Sequence, residues 1–401
     1  MSTAITNVRI FDGDAVLANR TVVVQGERIT GIGGPVPTGA TVVDGAGSTL
    51  LPGLIDSHVH TDLNGLRDAL AFGVTTELEM QGRWTARSRR EIAVRDDLAD
   101  LRTSGMGVRP KGGHPSEYIT SSGNLLIRLV YPLLPAVDTP DQARRFVARQ
   151  VANGADYIKV FIEDGSTIGY PGLPVIDGPT LDAAVHAAHE HGKLAIAHVS
   201  TADGTRRAIA AGVDGLAHLF LDSPSPGLID AIAESGAFVV PTLVTLSSAF
   251  GTSAAELAAD PRVRTRLDQQ WLDSLSRSMS VYPQGDLEVA YASVRALREA
   301  GVDILAGSDV SEPLPMLGGL AHGASLHHEL QLLVRAGFSP VDALRAATSI
   351  PARRFSLADR GRIAPGARAD LLLVDGDPTV TIADTLSTRA VWRRGVPLTA
   401  G

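Results

Sequence analysis

Cysteine is absent from the 401 residues. That excludes disulfides, thiolate metal sites and thiol nucleophiles, and leaves any metal chemistry to imidazole, carboxylate and amine groups. Runs of like charge are missing too: the net charge of −8 is modest for this length and the basic residues are scattered, so no electrostatic footprint for nucleic acid exists. There is no uninterrupted apolar run of membrane-spanning length. Met1-Ser2-Thr3-Ala4 enters strand-like sequence directly, without a basic then apolar leader, which predicts a soluble, cytoplasmic protein. No internal repeat or low-complexity segment stands out, and Gly318-Gly319 is too weak a signal for a phosphate loop. A small-molecule substrate fits these absences better than a nucleic acid or a membrane, and a homo-oligomer is compatible with them.

What is present has two rhythms. Through residues 4–50, Val8 and Ile10 precede Asp12-Gly13, Val22 and Val24 precede Gln25-Gly26-Glu27, and Ile29 and Ile32 follow, which is hairpin chemistry. From Leu51 onward short apolar runs alternate with longer helical stretches. The runs are Leu54–Ser57, Val74–Met80, Gly107–Lys111, Tyr157–Ile162, Leu194–Val199, Gly215–Phe220, Phe238–Leu243 and Ile304–Asp309. This predicts an α/β protein with a (β/α)8 TIM barrel over residues 53–359. Strand-like sequence returns at Ala369–Asp375 and Ala390–Trp392, so residues 1–52 and 360–401 are expected to form one β-sandwich domain from both chain ends. Thr139-Pro140-Asp141 opens one helix, and a second runs from Thr180 to His191 before Gly192. Residues 250–300 exceed what a barrel connection needs and predict extra helices, as in a lid over the strand ends.

The chemistry gathers at the C-terminal ends of the predicted strands, where barrels place their active sites. His58 and His60, in Asp56-Ser57-His58-Val59-His60, alternate in a strand and so point the same way toward one metal. Lys159, His198, His218 and Asp309 hold the same place on other runs. Each alone is more often a hydrogen-bonded core residue; together they would bury several ionisable groups without compensation unless metal ions compensated them. His114, after Lys111-Gly112-Gly113, is placed to approach a substrate carbonyl, and Arg109 and Lys111 beside it could meet a carboxylate or pair with Glu77 or Glu79. His186, His189 and His191 are expected to face solvent. For His322, His327 and His328 a structural or supporting role is expected rather than ligation.

Leu51-Pro52-Gly53-Leu54-Ile55-Asp56, Ala71-Phe72-Gly73-Val74-Thr75-Thr76 and the closing Gly361-Arg362-Ile363-Ala364-Pro365-Gly366-Ala367-Arg368-Ala369-Asp370-Leu371 give the chain a wider likeness. It resembles the metal-dependent amidohydrolase superfamily, in the branch of Xaa-Pro dipeptidase-like enzymes, arginine and lysine carboxypeptidases and imidazolonepropionase relatives. The resemblance implies two divalent ions, zinc first among zinc, manganese, cobalt and iron. It implies that His58, His60 and Asp309 bind one ion, that His198 and His218 bind the other, and that Lys159, carboxylated by carbon dioxide, bridges them. A water shared by two such ions has its pKa lowered toward about 7, and Asp309 is placed to move its proton. The expected reaction is hydrolysis of an amide C–N bond in an N-acyl amino acid or dipeptide-like compound by a metal-bridging hydroxide. Aryl urea, carbamate or lactone hydrolysis, or mononuclear deamination on the same fold, are the alternatives. A scaffold that has lost catalysis would have lost ligands, and all six positions are filled.

Overall fold

The computed structural model describes residues 2–121, 135–222 and 227–398. Its first strands follow from turn chemistry. Between β1 (Ser2–Phe11) and β2 (Val16–Gln25), the Asp12 carboxylate accepts the N–H groups of Asp14 at 2.9 Å and Ala15 at 2.8 Å, while Gly13 takes φ +111°. The side chain thus closes the turn that Asp-Gly predicts. β3 (Arg28–Ile32) continues antiparallel, and β4 (Thr41–Asp44) and β5 (Thr49–Pro52) lie parallel to β1.

Beyond Pro52 the pairing becomes parallel. β6 (Leu54–Val59), β7 (Val74–Glu79) and β8 (Asp100–Thr103) form one sheet. β9 (Ile158–Ile162), β10 (Ala195–Val199), β11 (Gly215–Ala217) and β12 (Phe238–Val240) form another. Single bridges join them through intervening segments: Val108 to Val160, Val239 to Ile304 and Val59 to Val310. Burial on both faces suits the mostly apolar sequences of β9–β12, whereas β6–β8 also bury Asp56, Glu77, Glu79 and Asp100. Ile55, Leu78, Tyr157, Ile196, Phe238 and Leu305, from successive segments, pack into a cluster of their own.

Two expectations need correction. The third strand is Asp100–Thr103 and not Gly107–Lys111, which contributes only the Val108 bridge; Gly105 (φ +63°), Gly107 and Pro110 deny that stretch an extended ladder. The eighth run is likewise held by bridges, because Gly307 and a left-handed Asp309 (φ +55°) bend it. Among the described residues, strand pairing therefore gives two linked parallel sheets and no single eight-stranded ladder. The expected helices occur at Pro140–Ala152, capped by Thr139, and Gly178–Glu190, capped by Asp177. Residues 250–300 hold helices Ala255–Ala259, Pro261–Arg264, Gln269–Leu275 and Leu287–Glu299. Among the described residues no helix is long and apolar enough to cross a membrane.

The chain end then returns to its beginning. β13 (Leu371–Val374) pairs antiparallel with β5, followed by β14 (Thr388–Arg393) and β15 (Val396–Pro397), in the order β15-β14-β13-β5-β1-β2-β3 with β4 also on β1. Ile5, Val22, Ile29, Leu50, Leu371 and Trp392 form its apolar core. A buried ionic network fastens this sheet to β8. The Arg393 guanidinium stands 3.1 Å from Asp370 and 3.5 Å from Asp100, and Arg360 bonds Asp100 from the segment before β13. Burial pushes the Asp100 carboxyl up, but Arg360, Arg393 and Arg368 outweigh it and hold the group well below the usual carboxylate range. Removing one member of a buried ion network typically costs about 3–5 kcal/mol. Asp100→Asn should therefore lower stability by about that much at neutral pH in urea unfolding. Because the folded-state pKa is depressed, the wild-type advantage is complete above the ordinary aspartate value of about 3.9 and shrinks as pH falls below it. A pH-independent gap between the two proteins would contradict this account.

Candidate metal centre

His58, past a register shift in β6, and His60, just beyond its end, point the same way two residues apart, and the bent eighth segment brings Asp309 opposite them. His58 Nε2 and His60 Nε2 each lie 3.2 Å from Asp309 Oδ1. Ligand atoms of these three residues all fall within 4.8 Å of one another. His218 Nδ1 is 3.9 Å from the other Asp309 oxygen, its ring centroid 4.8 Å from that of His58 and 4.6 Å from that of His198. Lys159, His198, His218 and His114 line the same cavity, of about 820 Å³, at the C-terminal ends of the parallel strands. The structure thus brings all seven sequence-derived candidates to one place. His198 and His218 do not join the three-residue ligand group.

Three of the imidazoles are held by partners outside the sequence-derived set, whereas His58 Nδ1 is buried without a partner among the described residues. His218 Nδ1 is 2.8 Å from Thr242 Oγ1, His198 Nε2 is 3.1 Å from Glu163 Oε2, and His114 Nδ1 bonds Glu117. Ser200 donates to the same Glu163 oxygen, and Thr167 to Ser200 at 2.6 Å. A signal existed for Glu163, which shares the strand face of Lys159 and Phe161, and for Glu117, one helical turn after His114; none existed for Thr242. His218 (φ +71°), Thr242 (φ +48°) and Asp309 (φ +55°) all adopt left-handed backbone, a strain that concentrates at functional sites.

Electrostatics favour ligation. Burial first, and then the neighbouring cationic groups, hold His58, His198 and His218 well below the usual histidine pKa, so their lone pairs are free. Burial pushes Asp309 up, but His218 and His60 more than offset it and keep it ionised. Lys159 is 1% exposed, its Nζ has no hydrogen-bond partner among the described residues, and burial lowers its pKa to about 7. An orphaned amine beside a cluster of neutral imidazoles and a carboxylate is the donor set that divalent ions fit.

The Amidohydrolase family profile matches residues 49–397. The chain belongs to the amidohydrolase family. Imidazolonepropionase of Salinispora arenicola is 26% identical to it over 408 residues, covering 98% of this chain and 93% of the relative. Among solved structures, a Xaa-Pro dipeptidase with bound methionine in its active site superposes with a TM-score of 0.76 at 24% identity over 100% of both chains. Phenylurea hydrolase B superposes with 0.75 at 23% identity, covering 99% of this chain and 97% of that one. Family membership supports a metal-dependent hydrolase of C–N bonds that acts on small molecules.

Other expectations fare unevenly in this amidohydrolase. Lys111 is exposed and Arg109 is 2% exposed, and neither lines the cavity. Glu79 instead accepts the Gln81 N–H at 2.8 Å, and Glu77 meets His322. His186, His189 and His191 are exposed, with His189 also 2.8 Å from Asp214. His327 is structural, its Nε2 2.9 Å from the Phe72 carbonyl oxygen. The 250–300 segment contributes Gln270, Trp271, Met279 and Val281 to the cavity wall.

Groups that orient metal-binding histidines are typically worth about 10- to 100-fold in metal affinity. Thr242→Val, which keeps shape and removes the oxygen, should weaken metal retention by that factor in chelator competition while the fold's circular dichroism is unchanged. Wild-type retention would detach Thr242 from the centre.

Proposed function

We propose that this amidohydrolase is a binuclear enzyme that cleaves an amide C–N bond, of the N-acyl amino acid or dipeptide-like class. The observation that carries the reading is the convergence of His58, His60 and Asp309 within 4.8 Å beside the partnerless Lys159 amine. In this reading the linked parallel sheets, with their enclosed apolar cluster, are a (β/α)8 barrel over residues 53–359, and residues 1–52 and 360–401 are a composite β-sandwich. His58, His60 and Asp309 would hold one divalent ion, zinc by preference, and His198 and His218 a second. Lys159, in its neutral form, adds carbon dioxide with loss of one proton to give a carbamate, whose two oxygens suit two cations. When bound, such ions acidify water and polarise a carbonyl group.

The chain's own groups account for the remaining steps. Asp309, ionised and facing three imidazoles, accepts a proton as water attacks and returns it to the departing nitrogen. His114, fixed by Glu117, is the donor placed for the substrate carbonyl oxygen, where charge develops in the tetrahedral state. The wall of the cavity excludes bulk water and orients the two halves of the substrate. Support for an acidic amide comes from the solved relative that holds methionine in its active site; support for an aryl urea comes from phenylurea hydrolase B.

Two measurements test this. Lys159→Ala should lower the bound metal from two ions per chain, with activity partly restored by short carboxylic acids that replace the carbamate. Full metal content in this variant, or a bare amine by carbon-13 labelling with carbon dioxide, contradicts the bridging role. Separately, kcat/KM should be at least tenfold higher for an N-acyl amino acid than for its neutral amide, an aryl urea, a lactone or an aminopurine. A neutral compound ahead by tenfold, about 1.4 kcal/mol of transition-state preference, would reassign the substrate class.

A further inference from the structure

The cavity has a second polar feature outside the candidate ligands. His322 is 2% exposed and lines the wall just before the helix Ala324–Arg335. Its Nδ1 stands 3.1 Å from Glu77 Oε1 on β7, and Glu77 is fully buried. Burial alone would discharge this imidazole, but Glu77, with Asp56 and Asp68 adding to it, raises its pKa above the ordinary value. An imidazolium carries two N–H donors, and Glu77 takes one.

The other donor is left for a ligand. His322 Nε2 has no hydrogen-bond partner among the described residues. A Cβ on Gly65 would come 2.7 Å from that nitrogen and 2.5 Å from Thr61 Oγ1, so only glycine lets this helix pack so closely against the imidazole, whose remaining exposure is to the cavity. The Trp271 ring stands nearly perpendicular to the imidazole with centroids 5.3 Å apart and closes one side. Arg67, from the helix Leu63–Ala71 that carries Gly65, is a second cation on the cavity wall, steadied by Asn64 at 3.2 Å. Asp68 and Asp268 also line this region; Asp68 interacts first with His322 across the cavity wall, without an ion pair within 4 Å, and then with the Trp271 side chain and Arg67, and its own burial pushes its carboxyl up toward the neutral form.

We propose that His322, held by Glu77, donates its Nε2–H to the carboxylate of the substrate, with Arg67 as the second cation of this anion subsite. Charge-assisted bonds of this kind select a carboxylate over a neutral amide. The proposal rests on the hydrolase reading above for the term substrate, and it moves carboxylate recognition from Arg109 and Lys111, which do not line the cavity, to the part of the wall that holds His322 and Arg67.

The test uses metal-loaded protein and a matched pair, N-acetyl-L-leucine and N-acetyl-L-leucinamide, with Kd from calorimetry or KM where the probe is turned over. Wild type should favour the acid at least tenfold. His322→Gln and Glu77→Gln should erase the preference, with affinity for the amide kept within threefold and metal content intact, and Arg67→Gln should reduce it. Nitrogen-15 spectra should show a doubly protonated His322 at pH 7 whose Nε2 resonance shifts on addition of the acid but not the amide. Equal affinities in wild type, no acid binding in the millimolar range, or a preference that survives in His322→Gln overturns the subsite. Binding with the expected preference but no turnover would instead count against the hydrolase reading and leave the subsite standing.

Discussion

The seam between the first and last parallel segments governs everything at the site. The Asp56 carboxylate accepts the Ser308 N–H at 3.0 Å, the Ser308 hydroxyl at 2.6 Å and the His58 N–H at 3.2 Å. Backbone bonds continue the seam, from Asp309 N to His58 O at 2.7 Å and from His60 N to Val310 O at 2.8 Å. With the two segments so locked, Asp309 is held against His58 and His60, although it lies some 250 positions from them in sequence. Gly307 is part of the same fit: a Cβ there would come 2.9 Å from the His58 nitrogen. The distant sheet contributes indirectly, because β5 leads directly into β6 and β13 holds β5 in register.

Holding these groups together has a conformational cost. Three non-glycine residues at the cavity adopt left-handed backbone, at about 1–3 kcal/mol each, and only a surrounding structure that over-determines them can sustain it. Glu329 illustrates how. Fully buried, it accepts the N–H groups of Leu243 at 3.0 Å and Val244 at 2.8 Å, pinning the turn that sets Thr242 against His218. The strain is thus met by hydrogen bonds from a helix outside the strands, and the position of His218 depends on elements that never touch a ligand.

How much of this was legible in the sequence depended on the range of the interaction. Local signals carried the His58/His60 pair, the hairpin turns, two helices with the Thr139 cap of the first, and most parallel strands, while the Asp177 cap, ahead of the expected start of the second helix at Thr180, was missed. The third strand was misplaced because Val108 and Arg109 look strand-like while the real strand, Asp100-Leu101-Arg102-Thr103, is half charged; its charges are compensated by Arg360 and Arg393, which lie far along the chain. The same reason hid Thr242 and the pairing of Glu77 with His322. A buried polar residue is interpretable only with its partner, and those partners are tertiary.

One comparison shows how finely surroundings decide role. His198 lies 3.1 Å from Glu163, and His322 lies 3.1 Å from Glu77, so the two contacts are geometrically alike. Their tendencies are opposite. Burial, His114 and Lys159 lower the pKa of His198, whereas for His322 the carboxylates of Glu77, Asp56 and Asp68 outweigh burial and raise it. Contact distance alone cannot separate an imidazole that offers a lone pair from one that offers a proton; the next layer of charge does. The cavity is accordingly divided. Around His198, burial with the neighbouring imidazole and amine groups favours the neutral form that can bind a cation, and around His322 the buried carboxylates behind it favour the protonated form that can donate to an anion. A molecule with a carbonyl group at one end and a carboxylate at the other would meet both halves at once, which is the physical basis for joining the hydrolytic centre to the His322 subsite.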